Sequence, residues 1–454
     1  MSVSGPLGAT PRGGAHGLRT AVLRARSSRH RAHAGTVGLS GLLVSGALLS
    51  LAAAGTDPLL PESVRPIPNW LAGPFGTTGL GIGHGGLIAT LALMSGFYVL
   101  AVTNAGRLSG RAVLATIAGL QALVLLAPPL LSTDLFSYQS YARMGALYGA
   151  NPYLSGPHAI ALDPLYAFVG AKWVSTPSAY GPLFTALSYP FATLGIAASA
   201  LAFKAIAALS SLVVVAIVWN AARLRGLDPV KAAMLVGLNP LLVVYGVGGG
   251  HNDLLMLAVL CAGLYAVLLR RDRAAGALTL AAVGIKLTAG LMLPFALAGR
   301  PGRRRELLTG AGVAAAALAV LGVAMFGAGP LHLLGTLQRN QAGSDWNSIP
   351  GFISTRLGLG LVGHATGYVL AAGFVAAFCW LLRKVWHGEL DWIAGAGWAT
   401  VAMLVSAGSL LPWYLAWALP FAALSGDRRL RTATIALTCV MQAIQLLEYV
   451  PHGL

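Results

Sequence analysis

The fold of this chain is decided by the stretch AAGALTLAAVGIKLTAGLMLPFALA, residues 274–298. Apart from Lys286 and two threonines, every residue in it is apolar or small. A helix needs about 20 residues to cross the hydrocarbon core of a bilayer. The stretch is therefore either one span with a lysine inside it, or two short legs, 274–284 and 287–298, that enter and return. The two interpretations place every later loop on opposite sides of a membrane.

Composition establishes the class of protein. Of the 454 residues, 56% are hydrophobic and only 9% are charged, whereas soluble globular chains carry about 25% charged residues. A soluble domain of this size could not keep so much apolar surface out of water. We therefore predict an all-α, polytopic membrane protein.

The distribution of basic residues decides between the two interpretations of 274–298. Apolar runs of span length lie at 37–54, 85–104, 112–131, 198–222, 232–249, 253–270, 306–327, 366–384, 391–408 and 430–447, and a shorter run lies at 411–424. With the N-terminus in the cytoplasm and two legs at 274–298, 23 of the 30 Lys and Arg residues face the cytoplasm. Cytoplasmic loops are enriched in Lys and Arg, so we predict this topology.

The predicted architecture has about thirteen spans, counting the two legs separately. Residues 1–36 form a basic cytoplasmic tail that we expect to be disordered, and residues 37–454 form a single transmembrane domain. Two long loops, about 132–197 and 328–365, lie on the outer face. Because the legs are too short to span a bilayer, other helices must shield them or they must line a cavity.

The sequence argues against two kinds of partner. A net charge of +17 can indicate nucleic-acid binding, but the basic residues lie in short clusters between apolar runs, as in membrane-protein loops. We therefore expect no nucleic acid, and contact between the basic tail and anionic membrane lipids. The three cysteines lie in separate apolar runs, which supports neither a disulfide framework nor a zinc site. We expect no metal and no cofactor.

Rare polar side chains converge on the outer face in this topology. Such groups are costly near lipid, so their convergence indicates a functional site. They are Asp134, Arg143, Tyr180, His251, Asn252, Asp253, Lys286, Arg339, Asn340, Asp345 and Trp413.

Asp134 lies in the stretch STDLFSYQSYARMGALYGANPY, residues 132–153, directly after a long apolar run. A carboxylate at this membrane edge can accept a proton from a sugar hydroxyl. Alternatively, it caps the helix expected at 135–148, since Ser, Thr and Asp are preferred N-cap residues. The two roles are compatible, and the residues alone do not choose between them.

The segment GVGGGHNDLLM, residues 246–256, has two interpretations. It is either a tight outer turn that presents His251, Asn252 and Asp253 to a site, or a polar turn that caps the helix after it. No strand–helix unit surrounds the glycines, so a phosphate-binding loop is weakly supported. One His and one Asp do not make a metal-ligand set.

Lys286 separates the two legs and must reach water or an anion. The simpler possibility is that it extends to the outer headgroups. We favour an anion, because the tip of the legs is shielded, and a lipid phosphate is the natural anion at that depth.

Three further segments could bind sugar or lipid. AYGPLF (179–184) and LPWYLAWALP (411–420) are either an aromatic belt with helix kinks or platforms for a sugar or a lipid tail. QRNQAGSDWNSIPG (338–351) is either a saccharide-binding loop or an ordinary solvated loop.

Taken together, five motifs resemble a known family. They are DLFSYQSYARMGALYGANPY, AYGPLF, GGHNDLLM, GIKLTAGLMLPF and PWYLAWALP. Their order is similar to that in the polyprenol-phosphate-mannose-dependent α-1,6-mannosyltransferases of actinobacteria, membrane glycosyltransferases of the GT-C type that help build lipomannan in the cell envelope. The resemblance runs from about residue 85 to the C-terminus.

The resemblance implies a reaction and a location. It implies a polyprenyl-phosphate-mannose donor, a lipid-linked mannan acceptor, and a site on the outer face of the plasma membrane. It implies an aspartate base in the first outer loop, where Asp134 stands. Enzymes of this type often carry an acidic pair in that loop, but here Leu135 follows Asp134.

The remaining candidate residues divide into two groups. A cation must hold the phosphate, and we expect Lys286, with Arg143 or Arg339, to do so. Candidates for substrate binding are Tyr180, His251, Asn252, Asp253, Asp345 and Trp413.

Two alternatives to a mannosyltransferase stay open at the level of sequence. A transporter or flippase of lipid-linked sugars would also explain the spans, the short legs and the buried cation. It should, however, place polar groups at the midplane and inner face. A related enzyme could use another sugar donor, such as arabinose or glucose.

Overall fold

The structure is a computed structural model that describes residues 14–54, 59, 79–342 and 345–449, with the side chains of 14–32 and 107 left out of the description. Its regular secondary structure is helical throughout, as the composition predicts. In the first half of the chain the α-helices are α1 Gly14–Ala53, α2 Gly83–Thr103, α3 Gly110–Leu126, α4 Asp134–Tyr148, α5 Pro182–Ser188, α6 Ile196–Leu224, α7 Pro229–Gly237 and α8 Asp253–Leu268.

The second half adds helices of varied length. They are α9 Asp272–Ile285, α10 Met292–Ala298, α11 Arg304–Phe326, α12 Leu333–Ala342, α13 Ile349–Gly351, α14 Gly360–Trp386, α15 Trp392–Ser406, α16 Leu419–Leu424 and α17 Arg428–Glu448. Two π-helical segments, Leu241–Val247 and Phe352–Arg356, interrupt the α-helices. Short 3-10 turns such as Ala171–Trp173 and Pro412–Trp417 carry residues of the site described below.

Polar side chains fix where several helices begin. Asp228 accepts hydrogen bonds from the backbone N–H groups of Val230 and Lys231 at the start of α7. Asp427 does the same for Arg429 and Leu430 at the start of α17. Such caps satisfy backbone donors that a helix leaves free at its first turn. Asp228 lies inside the basic cluster 223–231 and Asp427 directly precedes the cluster 428–431, both of which the sequence places in the cytoplasm.

In the described part of the chain, six helices are long and apolar enough to cross a membrane, or seven if α7 and the π-helical segment Leu241–Val247 form one span bent by 47°. The protein is therefore polytopic. The expectation of about thirteen spans exceeds this number, because several apolar runs form shorter helices. They are Gly110–Leu126, Asp253–Leu268, Leu287–Ala298 and Trp392–Ser406. For α3 the reason is local: Pro128 and Pro129 follow its end, and proline cannot continue a helix.

The stretch 274–298 breaks at Lys286. Helix α9 ends at Ile285, Lys286 is extended with φ −149° and ψ 127°, and a short turn leads into α10. This break agrees with two helical legs rather than one continuous span. Gly276 and Gly310 bring α9 against α11: a Cβ at Gly276 would lie 2.0 Å from the carbonyl oxygen of Leu307, and one at Gly310 would lie 1.8 Å from that of Arg273.

The N-terminal segment 1–36, which we expect to be disordered, overlaps the first helix. Helix α1 begins at Gly14, and residues 1–13 lie outside the described part. Arginine, alanine and leucine are frequent in this segment, and they are among the strongest helix formers. The basic segment therefore continues the helix of the first span toward the N-terminus.

Candidate active site

A cavity of about 680 Å³ opens beside the start of α4. The wall formed by α1, α2 and the chain between them is mostly apolar, with Ala52, Leu80, Ile82 and Leu87. The facing walls come from the two predicted outer loops, the turn Pro412–Trp417 and the end of α17, and they are polar and aromatic. The cavity thus joins a surface suited to hydrocarbon to one suited to a polar group. The polar and aromatic residues include Ser132, Thr133, Asp134, Lys172, Trp173, Asp345, Trp346, Asn347, Trp413 and Glu448.

Asp134 is the first residue of α4 and lines this cavity. Thr133 occupies the N-cap position, and no side-chain capping bond is formed there. The alternative that Asp134 caps α4 is therefore not what the structure shows. The segment before it is held by Lys204, which is 2% exposed and donates to the carbonyl oxygens of Ala127 and Pro128.

The environment of Asp134 suits a base. Burial raises the pKa of this carboxyl to about 7. The positive charges of Lys286 and Lys172 oppose the increase, and the negative charges of Asp253 and Asp345 add to it. Removal from water disfavours the charged form of a carboxyl. A pKa near the working pH gives a base that is partly ionised yet strong enough to take a proton.

His251 lies next to Asp134. Its Nδ1 is 3.7 Å from Oδ2 of Asp134 and 3.3 Å from the hydroxyl of Tyr138. Its ring stacks on Trp413 with the ring centres 3.6 Å apart. Burial, together with the charge of Lys286, lowers the pKa of His251 well below its usual range. The neutral ring therefore lies between the carboxylate and an aromatic wall of the cavity.

The turn that carries His251 is shaped by glycine. Gly250 has φ +70°, a conformation that glycine adopts without the steric cost other residues incur. A Cβ at Gly248 would lie 2.2 Å from the carbonyl oxygen of Val244 and 2.7 Å from Leu130. The backbone thus passes close to the segment before Asp134, and Leu130 donates to the carbonyl of Gly248 at 3.0 Å. This contact holds the two parts of the site together.

Behind the cavity wall, Asp253 and Lys286 form an ion pair. Nζ of Lys286 lies 2.7 Å from Oδ1 of Asp253, which also accepts the indole N–H of Trp417 at 2.8 Å. The ammonium group lies over the rings of Tyr414 and Trp417, and its side chain is 12% exposed. Lys286 therefore points inward to a carboxylate, and the alternative of extension to the headgroups does not describe it.

Asp345 brings the second predicted outer loop to the cavity. Its carboxylate pairs with Lys172 and accepts a hydrogen bond from the hydroxyl of Ser409. Lys172 is a site residue that the sequence did not single out. The available signal was its place among the seven basic residues outside the cytoplasmic clusters. Its partner could not be predicted, because Asp345 lies 173 positions away.

Besides His251, Asn252, Asp253 and Lys286, three more predicted site residues do not line the cavity. Arg143 is held by Asp163, with Nη1 at 2.7 Å from the carboxylate. Arg339 is exposed on α12 and donates to Thr336 at 3.0 Å. Tyr180 packs edge-on against Tyr138 with ring centres 4.9 Å apart, so it supports a neighbour of His251.

The cluster has unpaired polar atoms. Within the part of the chain that the structure describes, Nε2 of His251, Nδ2 of Asn252 and Oδ2 of Asp253 are buried without a hydrogen-bond partner. Most buried polar atoms in proteins have a hydrogen-bond partner. The same residues form no group of three or more His, Cys, Asp or Glu side chains that could hold a metal ion.

Comparison with known proteins covers most of the chain. Residues 32–299 match the family model for the N-terminal domain of α-(1→6)-mannopyranosyltransferase. Residues 347–453 match the model for the MptB C-terminal domain. No solved structure matches the chain at a significant level.

Named relatives agree with the family models. The chain is 30% identical over 438 residues to α-(1→6)-mannopyranosyltransferase A of Mycobacterium tuberculosis, covering 87% of this chain and 80% of the relative. It is 28% identical over 344 residues to α-(1→6)-mannopyranosyltransferase B of Corynebacterium glutamicum, covering 65% of this chain and 56% of the relative. This chain therefore belongs to the α-(1→6)-mannopyranosyltransferase family and is a membrane-embedded mannosyltransferase.

Proposed function

We propose that this enzyme transfers mannose from polyprenyl-phosphate-mannose to the 6-hydroxyl of a lipid-anchored mannan, at the outer face of the plasma membrane, with a GT-C type architecture. The observation that carries the proposal is the position of Asp134. Its carboxyl lies in the wall of a cavity that has one apolar side and one polar, aromatic side. A lipid-linked sugar has the same two-part character.

In the proposed reaction, Asp134 takes the proton of the acceptor hydroxyl. The hydroxyl oxygen forms a bond to C1 of mannose, and the bond between C1 and the phosphate oxygen breaks. The electron pair stays with that oxygen, and polyprenyl phosphate leaves. Displacement on the face opposite the phosphate converts a β-linked donor into an α-linked mannoside. Phosphate is a good leaving group, so the step needs a base and a cation but no general acid.

The apolar wall supports a prenyl donor. The side chains that face the cavity from α1, α2 and the chain between them are Ala52, Leu80, Ile82 and Leu87. Leu131 and Leu411, which shortly precede Asp134 and Trp413 in the sequence, also line it. A prenyl chain lying against this wall removes apolar surface from water, which stabilises binding by about 25 cal/mol per Å². This arrangement would bring the phosphate and mannose to the side of the cavity that holds Asp134.

The polar side supports binding of sugar. Trp173, Trp346 and Trp413 line it together with Asn347. Tryptophan offers a rigid apolar face with a polar edge, which suits the apolar face of a mannose ring. We assign Trp413 the position beside the reacting sugar, because it stacks on His251 next to Asp134. His251, Asn252 and Asp253 then position the base rather than the substrate.

Of the cations predicted to hold the phosphate, only Lys286 acts on Asp134. Its charge lowers the pKa of Asp134, while Asp253 fixes its position. We therefore propose that Lys286 stabilises ionised Asp134 from behind the wall. Arg143 and Arg339 have other partners and are not part of this proposal.

We infer the outer-face location of the site from the distribution of Lys and Arg residues along the chain. The predicted topology places most Lys and Arg residues in the cytoplasm. The loops that carry Asp134, Lys172 and Asp345 are then outside, and we place the reaction there.

The test is bond formation by purified protein. Enzyme in detergent receives polyprenyl-phosphate-mannose labelled in the sugar and a short α-1,6-mannoside acceptor. We expect an acceptor one mannose longer, with an α-1,6 linkage by NMR. Arabinose- and glucose-bearing polyprenyl phosphates are parallel donors. No new glycosidic bond, combined with movement of labelled lipid across proteoliposome membranes, would favour a flippase. Equal use of another sugar would contradict the proposed donor.

A further inference from the structure

A phosphate that loses a sugar gains negative charge, so a cation must be able to reach it inside the cavity. Lys172 is the only lysine or arginine that lines the cavity in the described part of the chain. It lies on the short turn Ala171–Trp173, and its side chain is 57% exposed. Its ammonium group also lies 4.9 Å from the centre of the Trp173 ring. This turn therefore presents a solvent-exposed cation beside an aromatic face.

The other nearby cation is less able to contact a ligand. Lys286 is fixed at 2.7 Å from Asp253 and is only 12% exposed. Two aromatic rings cover its ammonium group. Moving it would leave Asp253 buried without its positive partner, which is costly in a protein interior.

The partner of Lys172 is held independently of the lysine. The backbone N–H of Asp345 donates to the carbonyl of Gly408 at 3.1 Å. Its carboxylate also accepts from the hydroxyl of Ser409. If Lys172 leaves, Asp345 keeps these contacts, whereas Lys172 has no second carboxylate partner among the described residues. The lysine is thus the member of the pair that can exchange its partner.

We propose that Lys172 binds the phosphate of the lipid-linked donor, and that the phosphate replaces Asp345 as its partner. This inference rests on the proposed function. The lysine of this pair is 57% exposed, and an ion pair that solvent reaches contributes little net free energy, so the exchange costs little. The donor phosphate carries one negative charge and the departing polyprenyl phosphate up to two. Contact with Lys172 therefore strengthens as the bond to mannose breaks, which is the kind of contact that accelerates a reaction.

The experiment measures Kd of purified full-length protein for polyprenyl phosphate, with phosphate-free polyprenol and phosphatidylglycerol as comparison lipids. Lys172→Gln should weaken binding of polyprenyl phosphate about tenfold, the effect of one charge-assisted contact, and lower kcat as well. Lys172→Arg should retain most binding. Asp345→Asn should tighten binding, because it removes the competing carboxylate. A purely structural ion pair would instead weaken binding in both the Lys172→Gln and the Asp345→Asn variants.

Lys231→Gln is the matched control, since Lys231 forms another exposed pair, with Asp228 at 3.4 Å. It should leave Kd unchanged. An unchanged Kd in Lys172→Gln, with wild-type transfer intact, would overturn the assignment of Lys172 alone. Equal affinity for phosphatidylglycerol would also overturn it. A wild-type protein that neither binds polyprenyl phosphate nor transfers mannose from it would contradict the proposed function itself.

Discussion

At the scale of single residues, the proposed base is one carboxyl group in an unusual environment. Asp134 is 13% exposed, and its nearest charged or titratable partner at ion-pair distance is a neutral histidine 3.7 Å away. An ordinary surface aspartate is ionised throughout the physiological pH range. The buried position instead makes the charge of Asp134 sensitive to pH near neutrality.

The pH dependence of transfer follows from this environment. The pKa of Asp134 is raised to about 7, and only the ionised form can take a proton. We expect kcat/KM to fall about tenfold per pH unit below neutrality and to level off above about pH 8. Initial rates measured from below neutrality to above about pH 8 give the pH at which kcat/KM is half its maximum, here called the midpoint.

A variant checks that the midpoint belongs to Asp134. The charge of Lys172 lowers the pKa of Asp134, so Lys172→Gln should move the midpoint to higher pH. A rate that does not change between about pH 5.5 and pH 8 would argue against titration of Asp134 in the reaction.

Part of the site was predictable because rare residues carry strong signals. Asp134, His251 and Asp253 are polar residues at the ends of apolar runs, Lys286 interrupts one, and the structure places them in one cluster. Arg143 carried the same signal, yet its charge is taken by Asp163. That pairing depends on how the loop after α4 folds back, which no local pattern reveals.

At the scale of helices, glycine determines how closely α9 and α11 approach. A Cβ on Gly310 would lie 1.8 Å from the carbonyl oxygen of Arg273. Small residues permit such backbone contacts between membrane helices. Gly312 lies two positions further on α11, where a Cβ would meet nothing within 4 Å. Because α9 ends at Ile285, directly before Lys286, its placement bears on the active site.

Substitution of Gly310 and Gly312 distinguishes the effect of packing between α9 and α11 from the effect of helix propensity. Gly310→Ala should destabilise the fold by about 1–3 kcal/mol, the usual cost of overpacking. Gly312→Ala should be neutral or slightly stabilising, since alanine favours helix more than glycine. Thermal unfolding in detergent measures both. Equal melting temperatures for the two variants would show that the α9–α11 contact is looser than described.

The helix boundaries show which signals the sequence carries at this scale. A lone lysine inside an apolar run predicted the break between α9 and α10, and the break falls there. Span lengths were overestimated where apolar residues continue past a helix end. The apolar run 112–131 is the example, because α3 stops at Leu126 and the next residues form the segment before Asp134. Hydropathy alone assigns such residues to a transmembrane helix, although their backbone is not helical.

At the scale of the whole molecule, composition alone predicted a polytopic membrane protein, and the structure agrees. The side on which the cavity opens is still a prediction from the distribution of basic residues. Two exposed positions test it. Leu162 is 100% exposed in the loop after α4, and Glu389 is exposed in the turn between α14 and α15.

A single cysteine is introduced at either position after Cys261, Cys379 and Cys439 are replaced by alanine. A membrane-impermeant maleimide should label Leu162→Cys in intact cells. It should label Glu389→Cys only after permeabilisation. The reverse pattern would place the cavity on the cytoplasmic side and contradict the proposed outer-face reaction.

The central claim is that Asp134 is the base of mannose transfer. The most direct measurement compares initial rates of transfer from polyprenyl-phosphate-mannose by the purified wild-type enzyme and by Asp134→Asn. Asp391→Asn serves as the control, since it removes a carboxylate paired with Arg225 at 3.1 Å. We predict a loss of at least about 100-fold for Asp134→Asn with an unchanged melting temperature, and wild-type rates for the control. Full activity of Asp134→Asn would contradict the account.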